Sequence, residues 1–436
     1  MATVIENDLN RYEVVKVLNP DDQVLNVAIA SPTGGQSSVS NDAFGRLRIS
    51  QPLTLFDSSH RYADNGLWVT STASGGSSSF SANEGLVNLN VTTTSGSKVY
   101  RETTKVFSYQ PGKSLLVLNT FVFNTAKENL RQRCGYFGDD NGIYVELADS
   151  TLSFVERSFV TGSVTETRVA QSSWNLDKLD GSGPSGLTLD ITKAQIFWMD
   201  IEWLGLGTVR LGFVINGIFI PCHAFHHANI LTSTYITTAI LPLRYEIENT
   251  GTTASNSTLK QVCSSVISEG GYELRGAQQA IGTNITTPID LTTAGTLYPL
   301  ISIRLKTSPD RLDAIVILTA LSLIGITNNA SYNWKVVAGG TTTGGTWASA
   351  GPNSSVEYNN TGTSFTIGTG RTLAGGYTIG ANQGSTPVDI LKEALFTFQL
   401  ERNSFTSTPY ELTLIAASDT NGADIHASLD WEEISR

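Results

Sequence analysis

The chain of 436 residues has a formal net charge of −11, 40% apolar residues and three cysteines. That length allows two or three domains and a sizeable core. An acidic balance with no Lys/Arg cluster along the sequence excludes the positive stripe that nucleic-acid binding needs. Cys134, Cys222 and Cys263 are odd in number and widely spaced, which reads as free thiols and not as a disulfide framework.

The first twenty residues are polar and charged, so no secretory leader is expected. The longest apolar run, residues 314–326, is too short and interrupted to cross a bilayer. A soluble protein made in a cytoplasm, without membrane insertion, is the expectation. Ser, Thr, Gly, Asn and Val are abundant and no long 3.6-residue periodicity occurs, which predicts an all-β fold with many turns.

Residues 1–57 read as an N-terminal docking arm. Residues 31–40 form a Gly/Ser-rich linker. Phe44-Gly45-Arg46-Leu47-Arg48-Ile49-Ser50 follows, with Leu47 and Ile49 on one face of an extended segment and Arg46 and Arg48 on the other. Phe44, Arg46, Leu47, Arg48 and Ile49 are therefore the candidate assembly residues. Pro52 would stop that strand or hold it at an edge.

Residues 58–275 read as one large two-sheet sandwich. Strands are predicted over residues 98–108, 114–124, 143–147, 152–160, 165–171, 235–248 and 262–267. The clearest pattern lies in the middle. Gln195, Phe197, Met199, Ile201 and Trp203 alternate with Asp200 and Glu202, a half-buried strand with a wet outer face. Val209, Leu211, Phe213 and Ile215 repeat it, and Asn216-Gly217 then joins them to Ile218, Phe219 and Ile220. Asn-Gly between apolar runs is a strong hairpin signal, because both turn residues need a positive φ.

Residues 276–436 read as a smaller C-terminal sandwich. Its strands are predicted at 300–305, 314–323, 332–337, 395–400, 411–417 and 425–431, with a Gly/Thr loop over 339–349 and a final hairpin turned by Asn421-Gly422. The predicted whole is two tandem β-sandwiches of jelly-roll or lectin-like type behind an extended arm. The larger one would be concanavalin- or laminin-G-like.

Three blocks resemble virion structural proteins of tailed phages, those of cyanobacteria among them. The first is Phe44-Gly45-Arg46-Leu47-Arg48-Ile49-Ser50 with Leu55-Phe56-Asp57. The second is residues 173–186, opening Ser173-Trp174-Asn175 and closing Gly183-Pro184-Ser185-Gly186, with Trp203-Leu204-Gly205 after it. The third is Pro299-Leu300-Ile301-Ser302-Ile303-Arg304-Leu305-Lys306 with Trp334. The resemblance implies a virion component that works with copies of itself, a trimer by analogy, and with neighbouring virion proteins. It carries over no catalytic residue.

Candidate chemistry is sparse. Cys222-His223-Ala224-Phe225-His226-His227 is metal-like in composition, but in a strand Cys222 and His226 face away from His223 and His227, so no convergent zinc set is expected. Asp139-Asp140-Asn141-Gly142 and Asp177 with Asp180-Gly181 are oxygen-rich turns that suit calcium, or serve only as turns. Trp174, Trp198, Asp200 and Glu202 are the candidate glycan platform, and Asp200 with Glu202 would be the acid pair of a polysaccharide-degrading spike. The leading expectation is a non-enzymatic phage structural protein. A glycan-recognising fibre protein is the alternative, and a hydrolytic spike a further one.

Overall fold

The computed structural model describes residues 52–270, 276–380, 386–387 and 399–435. The candidate assembly residues Phe44, Arg46, Leu47, Arg48 and Ile49 lie outside them.

The described residues build two β-sandwiches, each around its own core. Fifteen strands make the larger one: β1 (Leu53–Ser59), β2 (Trp68–Ala73), β3 (Ser77–Ser81), β4 (Leu86–Val91), β5 (Lys98–Thr103), β6 (Ser114–Val122), β7 (Leu130–Phe137), β8 (Gly142–Ala148), β9 (Thr151–Ser158), β10 (Thr165–Ala170), β11 (Gln195–Ile201), β12 (Val209–Ile215), β13 (Ile218–Phe225), β14 (Leu243–Asn249) and β15 (Ser257–Glu269). One sheet runs β13-β12-β11-β6-β15-β4-β3, with β1 also on β15. The other runs β10-β9-β8-β7-β14-β5-β2. All the pairings are antiparallel.

Period-two alternation places the core. On β8, Ile143, Val145 and Leu147 point inward. On β14, Leu243, Tyr245 and Ile247 do the same, and Phe197, Met199 and Ile201 of β11 meet them from the opposite sheet. Phe154 of β9 stacks on Trp174 at 4.2 Å between ring centroids, and Phe197 and Phe213 stand 5.7 and 6.1 Å from it. These rings tie one sheet to the other.

The Asn216-Gly217 turn is as expected. Asn216 has φ +54° and Gly217 +76°, and Ile215 pairs with Ile218 across the turn. A Cβ on Gly217 would meet nothing within 4 Å, so only the backbone opposes a side chain there. Gly217→Val is expected to cost ~1–3 kcal/mol through that backbone alone. Urea denaturation measures it, and an unchanged midpoint would show that the turn tolerates a β-branched residue.

Four expectations are corrected. Residues 53–57, assigned to the arm, belong to β1, which pairs with β15. Phe56 is buried there between Trp68 and Phe107. Within residues 235–248 only Leu243–Asn249 is a strand, and Tyr235 to Pro242 runs as a connection joined to Phe107 by a single bridge at Leu241. Asn421-Gly422 turns no hairpin. Glu411–Ser418 pairs with Tyr298–Leu305 and Ser331–Thr343 in one sheet, whereas Ala423–Ser435 pairs with Ile315–Gly325 in the other. The turn carries the chain between layers. Residues 339–343 continue the strand Ser331–Thr343, with Gly339 at φ +82° where the register shifts. Gly340 has no room for a side chain, because a Cβ would lie 2.2 Å from the Phe365 ring.

The sandwiches touch through named contacts. Phe405 stacks on Tyr100 at 5.4 Å, and the Ser404 hydroxyl donates to the Thr103 carbonyl at 2.6 Å. Lys105 pairs with Glu401 at 3.3 Å, and Thr238 donates to Asp313 at 2.7 Å.

Candidate binding face on the seven-stranded sheet

The alternation that buries one face of the seven-stranded sheet turns the other set of side chains outward, and these are mostly charged. Register makes them a grid. One cross-strand row reads Ser153, Glu146, Arg133, Glu246, Tyr100 from β9 to β5. The next reads Val155, Tyr144, Gly135, Arg244, Glu102, and a third reads Ala148, Arg131, Glu248, Lys98. Cations and carboxylates alternate along and between rows, so opposite charges face each other across strands. Gly135 is required in its row, because a Cβ would lie 2.6 Å from the Tyr144 backbone.

Aromatic rings floor the grid. Phe137, Tyr144 and Val155 form a small buried cluster on this face. The Arg157 guanidinium lies 5.6 and 5.4 Å from the Phe137 and Tyr144 ring centroids, and that of Arg244 lies 4.3 Å from Tyr100. Planar guanidinium over an aromatic face is favourable and holds the fork in place.

The ion pairs are specific. Arg133 and Lys98 both reach Glu246, Lys98 at 2.9 Å, and Arg131 pairs with Glu248. Arg244 donates through Nε to Glu102 at 2.7 Å and pairs through Nη1 with Asp139 at 2.8 Å. Arg157 and the Tyr144 hydroxyl both donate to Glu166 at 2.7 Å, and Arg168 donates to Glu146 at 2.7 Å. Burial opposes ionisation of Glu166, but the Tyr144 and Arg157 hydrogen bonds outweigh it and hold its carboxyl at about 2. Burial likewise opposes ionisation of Glu246, and Arg133, Lys98 and Arg244 together drive its carboxyl below the usual range.

A depression of about 410 Å³ opens on this face. Six cations line it (Lys98, Arg131, Arg133, Arg157, Arg168, Arg244) against three carboxylates (Asp139, Glu166, Glu246), an excess of three positive charges. Glu246 is 1% exposed, and its Oε2 has no hydrogen bond; the same holds for Glu146 Oε2 and for Arg133 Nε. Buried acceptors and donors left open beside a cavity are what a hydrogen-bonding ligand would satisfy.

The candidate glycan platform is corrected. Trp174, Trp198, Asp200 and Glu202 are 3%, 1%, 0% and 0% exposed, so none offers a surface to a sugar. Trp174 packs in the core, and Asp200 pairs with Arg210 on the neighbouring strand. The metal-like histidines diverge. His223 Nδ1 accepts from the Asn175 amide at 3.3 Å, His226 contacts Thr208, and His227 is held between Glu156 at 2.7 Å and the Gly207 carbonyl. The oxygen-rich turns spend their oxygens locally: Asp177 accepts from the Leu179 and Ser185 amides, and Asn141 from those of Phe159 and Thr237. Among the described residues no group of three or more His, Cys, Asp or Glu is placed to hold a metal.

Two buried histidines set an acid response. Burial and Arg101 lower His60 to about 4, and burial and His226 lower His223 to about 4, against an ordinary 6.5. Between pH 6.5 and 4 the unfolded chain binds protons that the fold excludes, so stability is full above 6.5 and falls as pH drops through this window. The melting temperature is expected to fall from pH 7 to pH 5, with a shallower slope in His223→Asn. A flat wild-type profile would contradict this.

No protein-family model and no curated protein sequence matches the chain. Solved structures with similar layering include a Bacteroides ovatus mixed linkage glucan GH16 in complex with its product (9% identity, 49% of this chain and 99% of that one, TM-score 0.34). A protein of unknown function from Shewanella oneidensis MR-1 is similar over 57% of this chain and 98% of its own (9% identity, TM-score 0.35). The legume lectin-like domain from Entamoeba histolytica is similar over 50% of this chain and 99% of its own (10% identity, TM-score 0.30).

Proposed function

We propose that the chain is a structural component of a bacteriophage virion, made in the host cytoplasm and working non-enzymatically through assembly with copies of itself and with other virion proteins. The three sequence blocks that resemble tailed-phage virion proteins support this reading. The observation that carries it is an uncovered edge. The strand Arg371–Ile379 pairs with Ser331–Thr343 on one side and, among the described residues, with no strand on the other. Tyr377 and Ile379 on it are 81% and 66% exposed. An apolar edge strand is a template for a further chain, and soluble proteins ordinarily blunt it.

Light scattering is expected to show an oligomer, a trimer by analogy with other phage proteins. Tyr377→Lys with Ile379→Lys should turn it into a monomer with its melting temperature kept. A wild-type monomer at micromolar concentration, absent from purified particles, would refute the proposal. A chain starting at Pro52 keeps β1 and should fold yet fail to join particles. One starting at Ser58 loses Phe56 from the core and tests nothing about docking.

The second reading is glycan recognition, favoured by the cationic depression with its open buried acceptors. A hydrolytic spike gains no support from Asp200 and Glu202, both buried.

A further inference from the structure

We infer that the depression on the seven-stranded sheet is a binding site for an anionic saccharide, one whose sugar hydroxyls neighbour a carboxylate or phosphate; this rests on the glycan reading. The site is built before any ligand arrives. Arginines are held over aromatic rings and paired with carboxylates of the same sheet. Such a frame is pre-organised and loses little freedom on binding.

The charge selects the anion. The lining itself holds six cations to three carboxylates, while Glu102, Glu146 and Glu248 pair with Arg244, Arg168 and Arg131 from beside it, so the depression presents cations on a chain of net charge −11. The Arg168 side chain is 40% exposed and that of Arg131 28%, so both reach solvent while pairing with Glu146 and Glu248. A guanidinium fork matches carboxylate and phosphate alike.

The open acceptor selects the sugar. Glu246 belongs to the lining, and its Oε2 is buried and without a hydrogen bond, with Arg244 Nη1 3.8 Å away. A simple anion cannot satisfy an acceptor. A hydroxyl can, by donating to it, so a ligand that brings hydroxyls beside its negative charge fits both halves of the site.

Calorimetric titration of the full chain tests this with four probes: an oligogalacturonate, a glycerol-phosphate teichoic acid, a neutral cello-oligosaccharide of equal length, and inorganic polyphosphate. One of the first two is expected to bind, with the neutral oligomer and polyphosphate at least ~10-fold weaker, the scale of one charge-assisted hydrogen bond. The arm that binds identifies the acid as carboxylate or phosphate. Arg131→Gln should weaken it ~10-fold at unchanged melting temperature, because Glu248 keeps Lys98. Arg168→Gln should weaken it as much but lower the melting temperature, because it takes the partner from buried Glu146. Glu246→Gln should weaken the saccharide and spare polyphosphate. Polyphosphate binding as tightly as either saccharide, or saccharide binding indifferent to all three substitutions, would overturn the assignment. A neutral glycan bound equally by wild type and Arg168→Gln would overturn this site and leave glycan recognition standing elsewhere. No glycan binding at all would overturn both.

Discussion

Arg133→Met is expected to destabilise the chain by about 3–5 kcal/mol, the cost of leaving a buried charge without its partner. Arg133 and Glu246 are both buried at the centre of the grid, and the loss of one strands the other. Lys98 at 2.9 Å and Arg244 at 3.8 Å remain beside Glu246 and place the result at the lower end of that range. Removing both charges together behaves differently. Arg133→Met with Glu246→Leu replaces a desolvated pair by apolar side chains on a face already floored by Phe137, Tyr144 and Val155. That double variant is expected within about 1 kcal/mol of wild type, since buried pairs seldom outperform well-packed apolar groups. Urea denaturation of the three proteins gives the coupling directly. A double variant as unstable as the single would mean that the ion pair itself stabilises the sheet. Near-equality with wild type, together with lost saccharide binding, would assign the pair to recognition instead of stability.

Much of the large sandwich was legible in the sequence because its strands alternate cleanly. Phe197, Met199 and Ile201 turn to the core, and Asn216-Gly217 turns the hairpin as its φ requirement dictates. What alternation cannot say is which outer faces stay wet. Trp198, Asp200 and Glu202 lie off the inward row and were therefore placed at a surface, yet all three are buried. A finer signal existed for Asp200: it sits opposite Arg210 in a hairpin whose register the pattern of Val209, Leu211 and Phe213 already suggests. Turn chemistry was similarly blind to layers. Asn421-Gly422 bends the chain correctly, but a turn does not encode whether its two strands share a sheet.

The candidate site was the least legible part. Lys98, Arg131, Arg133, Arg157, Arg168 and Arg244 form no run, and no cluster was visible along the chain. Local hairpin pairs such as Arg157 with Glu166 follow from short loops and could have been read. The step that assembles the grid is the insertion of β14 between β5 and β7, which sets Glu246 beside Arg133 from 113 residues away. Pairing at such separation is a property of topology, and a single sequence holds no local trace of it.

Phe154→Ala is expected to cost a further ~3–5 kcal/mol, the usual loss when a large core aromatic is truncated. Phe154 is fully buried, and it belongs to the seven-stranded sheet while Phe197 and Phe213 belong to the other. Trp174, from the connection between β10 and β11, stacks on it at 4.2 Å and closes the same stack. Truncation therefore removes contacts on both layers at once, and neighbouring rings of this size cannot close the gap without leaving their rotamers. Phe154→Leu keeps most of the volume and should cost less than ~1.5 kcal/mol. The second core, around Trp431 and Tyr332, shares no residue with this one. Calorimetry of Phe154→Ala should therefore show the transition of the first sandwich lowered by roughly 10 °C, as expected for a domain of this size, with that of the second retained. A single transition lowered as a whole would show instead that the contacts of Phe405 with Tyr100 and Ser404 with Thr103 couple the two sandwiches into one cooperative unit.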